Sequence, residues 1–155
     1  MHRQLKYGRI ERERRWLLPA LPDRPWDRVV QVVDRYIRGT RLRLRMMDDG
    51  TTVDHKLARK LPPHEPGALV MGNLYLSAGE HALLRSLPAH ELRKRRHVWG
   101  RWGVDVFEGP LAGLVLAEIE EDDPAVLAAL VPPFAVIRDV TGEPAFQGAT
   151  LAVRG

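Results

Sequence analysis

Charged and apolar residues alternate with a period of two along several short stretches of this chain, the pattern of β-strands with one wet and one dry face. Thr40-Arg41-Leu42-Arg43-Leu44-Arg45-Met46 is the cleanest case, with arginines on one face and Leu, Leu and Met on the other. Asp48-Asp49-Gly50 signals a turn. Thr51 to Leu57 follows as a strand that delivers Lys56, so the pair forms a hairpin. Arg9 to Leu18 is a strand with Glu11, Glu13 and Arg15 on one face and Ile10 on the other. Glu91 to Trp99 is a basic strand, Arg101 to Phe107 pairs with it across Gly100, and Leu114 to Glu121 is an acidic strand. Ala135 to Thr141 is a last strand. Trp26 to Ile37 is ambiguous: Asp23 and Pro25 could open a helix, whereas the β-branched Val29, Val30, Val32, Val33 and Ile37 favour a strand from about Val30 onward.

Proline and capping signals divide these stretches. Pro19, Pro22 and Pro25 make a loop, and so does the run from Leu61 to Gly67. Ser77-Ala78-Gly79-Glu80 is a capping-box pattern that opens a helix from Ala78 to Leu87, ended by Pro88. Asp123-Pro124 caps a second helix through about Leu130, and the tail from Glu143 to Gly155 includes a short helix through Leu151. Seven or eight short strands, two or three short helices and no βαβ rhythm argue for one α+β domain over residues 1–155. It is mainly β and built on an antiparallel sheet or barrel.

Composition narrows the partners. Hydrophobic residues make up 45% of the 155, charged residues 28%, and cysteine is absent. Disulfides, thiolate metal sites and a cysteine nucleophile are therefore excluded. No apolar run approaches the roughly 18 residues of a membrane span. No apolar segment follows the charged N-terminus, so the expectation is a cytoplasmic protein without a secretory signal or membrane contact. The net charge of +4 suits an anionic partner.

The placement of charge says more than its total. Glu11 and Glu13 sit two apart, as do Glu118 and Glu120; Arg41, Arg43 and Arg45, and Lys94 and Arg96, repeat the pattern in the basic sense, and Lys56 adds a cation. Like charges stacked about 6.5 Å apart on one sheet face repel each other. On an open sheet these faces would simply be solvated. In a closed barrel with apolar faces outward they line a lumen, where acidic and basic strands face each other. Such an interior is costly unless something binds. A polyanion with a divalent metal satisfies both halves, the cations gripping phosphate oxygens and the carboxylates holding the metal.

The ordered set Glu11-x-Glu13, Leu42-Arg43-Leu44-Arg45, Lys56, Lys94-x-Arg96 and Glu118-Ile119-Glu120 resembles the CYTH superfamily, also called triphosphate tunnel metalloenzymes. The segment Asp105-Val106-Phe107-Glu108-Gly109-Pro110-Leu111-Ala112-Gly113-Leu114 is similar to that family's Asp-x-Phe-x-Gly…Leu-x-Gly-Leu stretch, and the likeness runs from about Ile10 to Leu151. The resemblance implies a closed antiparallel eight-stranded β-barrel with a few short flanking helices, whose tunnel binds a triphosphate with Mg2+ or Mn2+. It assigns Glu11, Glu13, Glu118 and Glu120 to the metal. Arg43, Arg45, Lys56 and Arg96 go to phosphate, with Arg15 and Arg41 as helpers. Lys94 would orient or deprotonate the attacking water. Two departures stand out. Arg15 replaces the last residue of the family's Glu-x-Glu-x-Lys, and Met71 to Leu76 carries no carboxylate where many members have an acidic cluster.

The expected activity is a metal-dependent triphosphatase acting on inorganic tripolyphosphate or a small organic or nucleoside triphosphate. A class IV-type adenylate cyclase and a non-catalytic polyphosphate or nucleotide binder are the alternatives. Nucleic acid is not an expected partner, because the acidic strands would repel it. A homodimer is compatible with the exposed faces of such a barrel, and no interface is identifiable. His97, on the face opposite Arg96, is read as a core or surface histidine, and Trp99 and Trp102 are assigned to packing. No Walker loop is present.

Overall fold

A computed structural model describes residues 6–61 and 68–155. Apart from Leu61, the loop expected over 61–67 lies outside the described residues, as do residues 1–5.

Eight strands form a closed antiparallel barrel. They are β1 (Arg9–Leu17), β2 (Arg28–Ile37), β3 (Leu42–Asp48), β4 (Val53–Lys60), β5 (Ala68–Leu76), β6 (Ala89–Trp99), β7 (Trp102–Phe107) and β8 (Val115–Glu120). Neighbours follow the order β5-β4-β3-β2-β6-β7-β8-β1, and β1 pairs back onto β5 to close the ring. A two-residue strand, β9 (Arg138–Asp139), joins the end of β1. The helices are α1 (Ala78–Arg85), α2 (Pro124–Ala129) and α3 (Gly148–Arg154).

The ambiguous stretch at 26–37 resolves as strand β2, paired along its whole length with β6 from Arg28↔Val98 to Ile37↔Ala89. Its β-branched run outweighs the helix-opening signal at Asp23 and Pro25. The last expected strand is shorter than the run from Ala135 to Thr141. In its register with β1, Leu17↔Arg138 and Trp16↔Asp139, residues 135–137 would lie opposite 18–20, past the end of β1 at Leu17 and beside Pro19. The capping box of α1 is present in full, with the Ser77 hydroxyl accepting from Glu80 N and the Glu80 carboxylate accepting from Ser77 N.

Alternation sends every second side chain outward. On β1, β7 and β8 the outward set is apolar: Trp16, Trp102, Val104, Ala117 and Ile119 pack with Leu127 of α2 and with Phe134. Trp102 meets Trp16 at 5.4 Å and Phe134 edge-on at 5.5 Å between ring centroids. Such pairs add stability beyond the area they bury. Trp99 and Trp102 thus pack as expected, and His97 lies edge-on to Trp26. A second cluster fills part of one barrel end, where Leu151 and Ala152 of α3 pack on Leu92, Phe107 and Leu116, all at least 97% buried.

Gly148 is the tightest point of that closure. The Tyr36 hydroxyl rises from β2 into the space a Cβ at 148 would occupy. Gly148→Ala is expected to lower stability by about 1–3 kcal/mol through overpacking. Tyr36→Phe in the same chain should recover part of the loss. Urea unfolding of the two single variants and the double variant measures this coupling.

Candidate functional site

The lumen holds a chamber of about 220 Å3. Seven cations line it, Arg15, Arg43, Arg45, Lys56, Lys60, Lys94 and Arg96, together with four carboxylates, Glu11, Glu13, Glu118 and Glu120. Of the residues expected from sequence to line a tunnel, all but Arg41 face this chamber. Arg41 precedes β3, is exposed, and stands at a neighbouring opening. The alternation that includes it begins one residue before the barrel does.

The charges are sorted by strand. Glu13 faces Glu120 and Arg15 faces Glu118 across β1 and β8, while Arg45 faces Lys56 across β3 and β4. One wall is therefore acidic and the opposite wall basic. A chain of ion pairs ties the acidic wall to β6 and β7. Lys94 Nζ donates to Asp105 at 2.7 Å, and Arg96 spans Asp105 at 2.7 and 2.8 Å and Glu118 at 3.0 Å. Arg15 reaches Glu118 at 2.9 Å and Glu13 at 3.0 Å. Arg15 also donates to the Phe146 carbonyl, which anchors the segment leading into α3. On the basic wall Arg45 makes a fork to Asp34 at 2.6 and 2.7 Å, with Asp34 1% exposed.

Three cations have no such partner. Among the described residues, Arg43, Lys56 and Lys60 form no ion pair, and Lys56 instead lies 5.1 Å from the centre of the Tyr75 ring. Arg43 is 8% exposed, and its Nε is buried without a hydrogen-bond partner. Burial and then the neighbouring Arg45 lower its pKa. Burial, reinforced by Arg43, brings the Lys60 ammonium down to about 8. An unpaired buried guanidinium beside two further cations leaves donor capacity and positive charge that suit an anion.

The acidic wall shows the opposite imbalance. Burial pushes the Glu13 carboxyl up, and Glu118 pushes it further, against the pull of Arg15 and Lys60. Glu120 is raised by burial and then by Glu11 and Glu118. Burial would raise Glu118 too, but Arg15, Arg96 and Lys94 outweigh it and hold that carboxyl well below the usual range. The set offers only oxygen donors and carries repulsion that a cation would relieve, which suits a hard divalent ion. Among the described residues no three acidic or histidine side chains converge tightly enough to enclose an ion. Glu118 is committed to two arginines. The donors thus fit an ion that keeps part of its shell in water or ligand oxygens, as Mg2+ does.

Lys60, Asp34 and Tyr36 were not singled out from the sequence. Lys60 closes β4 four residues after Lys56, on the same face, and that spacing was the available signal. Asp34 and Tyr36 interrupt the lumen-facing set Val30, Val32, Asp34, Tyr36, where a lone carboxylate in a valine-rich stripe calls for a cationic partner. Asp105 belonged to a recognised motif, and its task is now visible: fully buried, it orients Lys94 and Arg96.

No protein-family model matches the chain, and no curated protein matches its sequence. Solved structures do match its fold. The inorganic triphosphatase NE1496 superposes with a TM-score of 0.61 at 21% identity, covering 92% of this chain and 94% of that one. This chain shares its fold. A second structure of NE1496, described as a hypothetical protein, gives 0.62 at 21% identity over 92% and 97% of the two chains. The PH1819 protein from Pyrococcus horikoshii OT3 gives 0.56 at 14% identity over 76% and 82%. At these identities the likeness establishes architecture. No helix among the described residues is long and apolar enough to cross a membrane.

Asp105→Asn would strand Lys94 and leave Arg96 with Glu118 alone, and is expected to cost about 3–5 kcal/mol at neutral pH. Burial raises the Asp105 pKa, but Arg96 and Lys94 pull it further the other way, to below its ordinary value. Its stabilisation is thus complete above the unfolded-state pKa of about 4 and fades as pH falls through the folded value. The stability difference between wild type and Asp105→Asn should therefore shrink below about pH 4. Denaturant titrations at a series of pH values test this, and a constant difference would contradict it.

Proposed function

We propose that the tunnel binds a triphosphate and hydrolyses it with the help of a divalent cation, Mg2+ or Mn2+. The observation that carries this is Arg43, a buried guanidinium without a counter-ion, facing the same chamber as Lys56 and Lys60 opposite a wall of carboxylates. The shared fold with an inorganic triphosphatase and the ordered motifs that resemble the CYTH superfamily support the same reaction class.

In this scheme Arg43, Arg45, Lys56, Lys60 and Arg96 bind phosphate oxygens, with Arg15 assisting. Charge-assisted hydrogen bonds of this kind are among the strongest available to a protein. Glu11, Glu13 and Glu120 would hold the cation, and Glu118 would join them through the shared network. The bound ion would neutralise developing charge on the transferring phosphoryl group. Lys94, held by Asp105 and with its pKa lowered by burial, would orient the attacking water. A non-catalytic binder is the second proposal. It is favoured by Arg15, which ties up Glu13 and Glu118 at once and, unlike the lysine of the family motif, cannot give up a proton.

Phosphorus NMR of the protein with tripolyphosphate, thiamine triphosphate and ATP, first with Mg2+ and then with Mn2+, separates the cases. Orthophosphate release that needs the ion and disappears in Glu11→Ala and Glu118→Ala is expected. Pyrophosphate with cyclic AMP would mean a cyclase, and shifted resonances without turnover a binder. Arg43→Ala should lower kcat/KM by about 10²-fold or more, with little loss of stability because it removes an unpaired charge.

Triphosphate affinity should also fall as pH rises above about 8, where free Lys60 loses its proton. Binding favours the charged form, so the loss begins at the free-state value. Lys60→Arg should carry the affinity unchanged through that range, and isothermal calorimetry from pH 7 to 10 measures it.

A further inference from the structure

The chamber opens two ways, and the openings differ in chemistry. One, about 470 Å3, is wet and charged, lined by Arg9, Glu11, Arg28, Arg96, Glu120 and Glu121 among others. The other is a vestibule of about 780 Å3 whose walls are mostly apolar. It lies beside α3, between the segment around Thr141 and Pro144 and the strands β3, β4 and β5. It is continuous with the chamber, since Glu13, Arg15, Tyr36, Arg43, Lys60 and Leu69 border both.

An inorganic chain of phosphates has no use for an apolar vestibule. The chamber alone is smaller than ordinary small-molecule sites, whereas the vestibule falls within their range of about 300–1,000 Å3 and has their mostly apolar walls with a few polar groups. Leu69, Ala68, Pro144 and Ala149 supply apolar wall. Gln147 supplies an amide that does not cap α3 and stays available. The charge around the vestibule selects further. Arg15, Arg41, Arg43 and Lys60 border it, with Glu13 as the carboxylate among the lining residues. A permanently cationic group such as thiazolium would be repelled there. An uncharged planar group would be accepted, and the exposed Arg41 guanidinium could stack on it.

On the reading that the tunnel is a triphosphate site, we infer that its substrate is an organic triphosphate carrying an uncharged, nucleoside-like group, which is seated in the vestibule beside α3. The phosphates then run inward past Arg43 and Lys60. The terminal phosphoryl lies toward Glu11 and Glu120 at the wet mouth. Arg41, which does not reach the chamber, becomes a specificity residue at the organic end.

The test compares β,γ-methylene ATP, tripolyphosphate and thiamine triphosphate by calorimetry on the full chain, in wild type and in Ala149→Trp. Ala149 is exposed, so an indole there fills the vestibule from the rim without touching the packed core. Wild type should bind the ATP analogue more tightly than thiamine triphosphate. Ala149→Trp should weaken the analogue by about tenfold or more and tripolyphosphate by less than about twofold. Gln147→Ala, which adds no bulk, should weaken the analogue alone by a smaller factor. Equal losses for the analogue and tripolyphosphate, or no loss for either, would overturn the vestibule assignment while leaving the triphosphate site standing. If wild type bound none of the three, the triphosphate reading would fall, and this inference with it.

Discussion

Closing eight strands into one barrel forces every second side chain into a lumen of limited width. Here that lumen receives seven cations and four carboxylates, more charge than a small cavity tolerates without internal pairing. The rest of the molecule follows from how this charge is managed. Asp105 and Asp34, both almost wholly buried, are the counterweights. One holds Lys94 and Arg96, the other Arg45, and each holds its partner in a single geometry. The hydrophobic free energy that offsets this interior comes from outside the barrel wall and from its plugged end, where Trp16, Trp102 and Leu127 pack on one side and Leu116 and Leu151 on the other. On β1, β7 and β8 the outer face thus carries packing, while on the inner face apolar residues at the plugged end give way to the charged chamber.

The counterweights are incomplete in a directed way. Arg96, Arg15 and Lys94 have carboxylate partners, and Arg43, Lys56 and Lys60 have none among the described residues. A fold that needed only neutrality could have paired these as it paired Arg45. The unmatched cations stand on β3 and β4, and the carboxylates with raised pKa values stand on β1 and β8. This separation keeps a gap between opposite charges that direct ion pairs would otherwise collapse. Arg15 is the cation that stands within the acidic side itself, where it reaches both Glu13 and Glu118. Its Nη2 serves both carboxylates while Nη1 serves the Phe146 carbonyl, a division of donors that a lysine with one ammonium nitrogen could not copy. The arginine therefore stiffens the acidic wall and removes one titratable amine, and Lys60, with a pKa near 8, is the titratable amine that borders the same space.

Much of this was legible from the chain because the barrel obeys a period of two. Glu11-x-Glu13, Arg43-x-Arg45, Lys94-x-Arg96 and Glu118-x-Glu120 each reach the chamber, since strand alternation is a local property that closure does not change. The errors sit where local pattern stops being sufficient. Arg41 continues the alternation of Arg43 and Arg45 but lies before the first β3 residue, and no sequence signal marks where pairing begins. The final strand is only Arg138–Asp139, because it meets β1 at Trp16 and Leu17, the last two residues before β1 ends ahead of Pro19. Lys60 and Asp34 were overlooked because each stands as a single charge without an i+2 repeat. Their importance depends on what faces them across the lumen.

The two mouths complete the argument from the same geometry. The wet mouth is lined by five arginines and five carboxylates and so offers a polyanion no net attraction, whereas the other mouth sets Arg15, Arg41, Arg43 and Lys60 against Glu13 alone. On the proposed triphosphate reading, electrostatics therefore favours phosphate entry past the vestibule. Whatever is attached to the trailing end comes to rest against Leu69, Pro144 and Ala149. The segment that forms this rim is the one anchored by Arg15 through the Phe146 carbonyl and by Tyr36 against Gly148. The shape of the vestibule is thereby mechanically tied to a residue bordering the chamber. A change at Arg15 would be felt at both ends, through lost charge in the chamber and through a loosened vestibule wall.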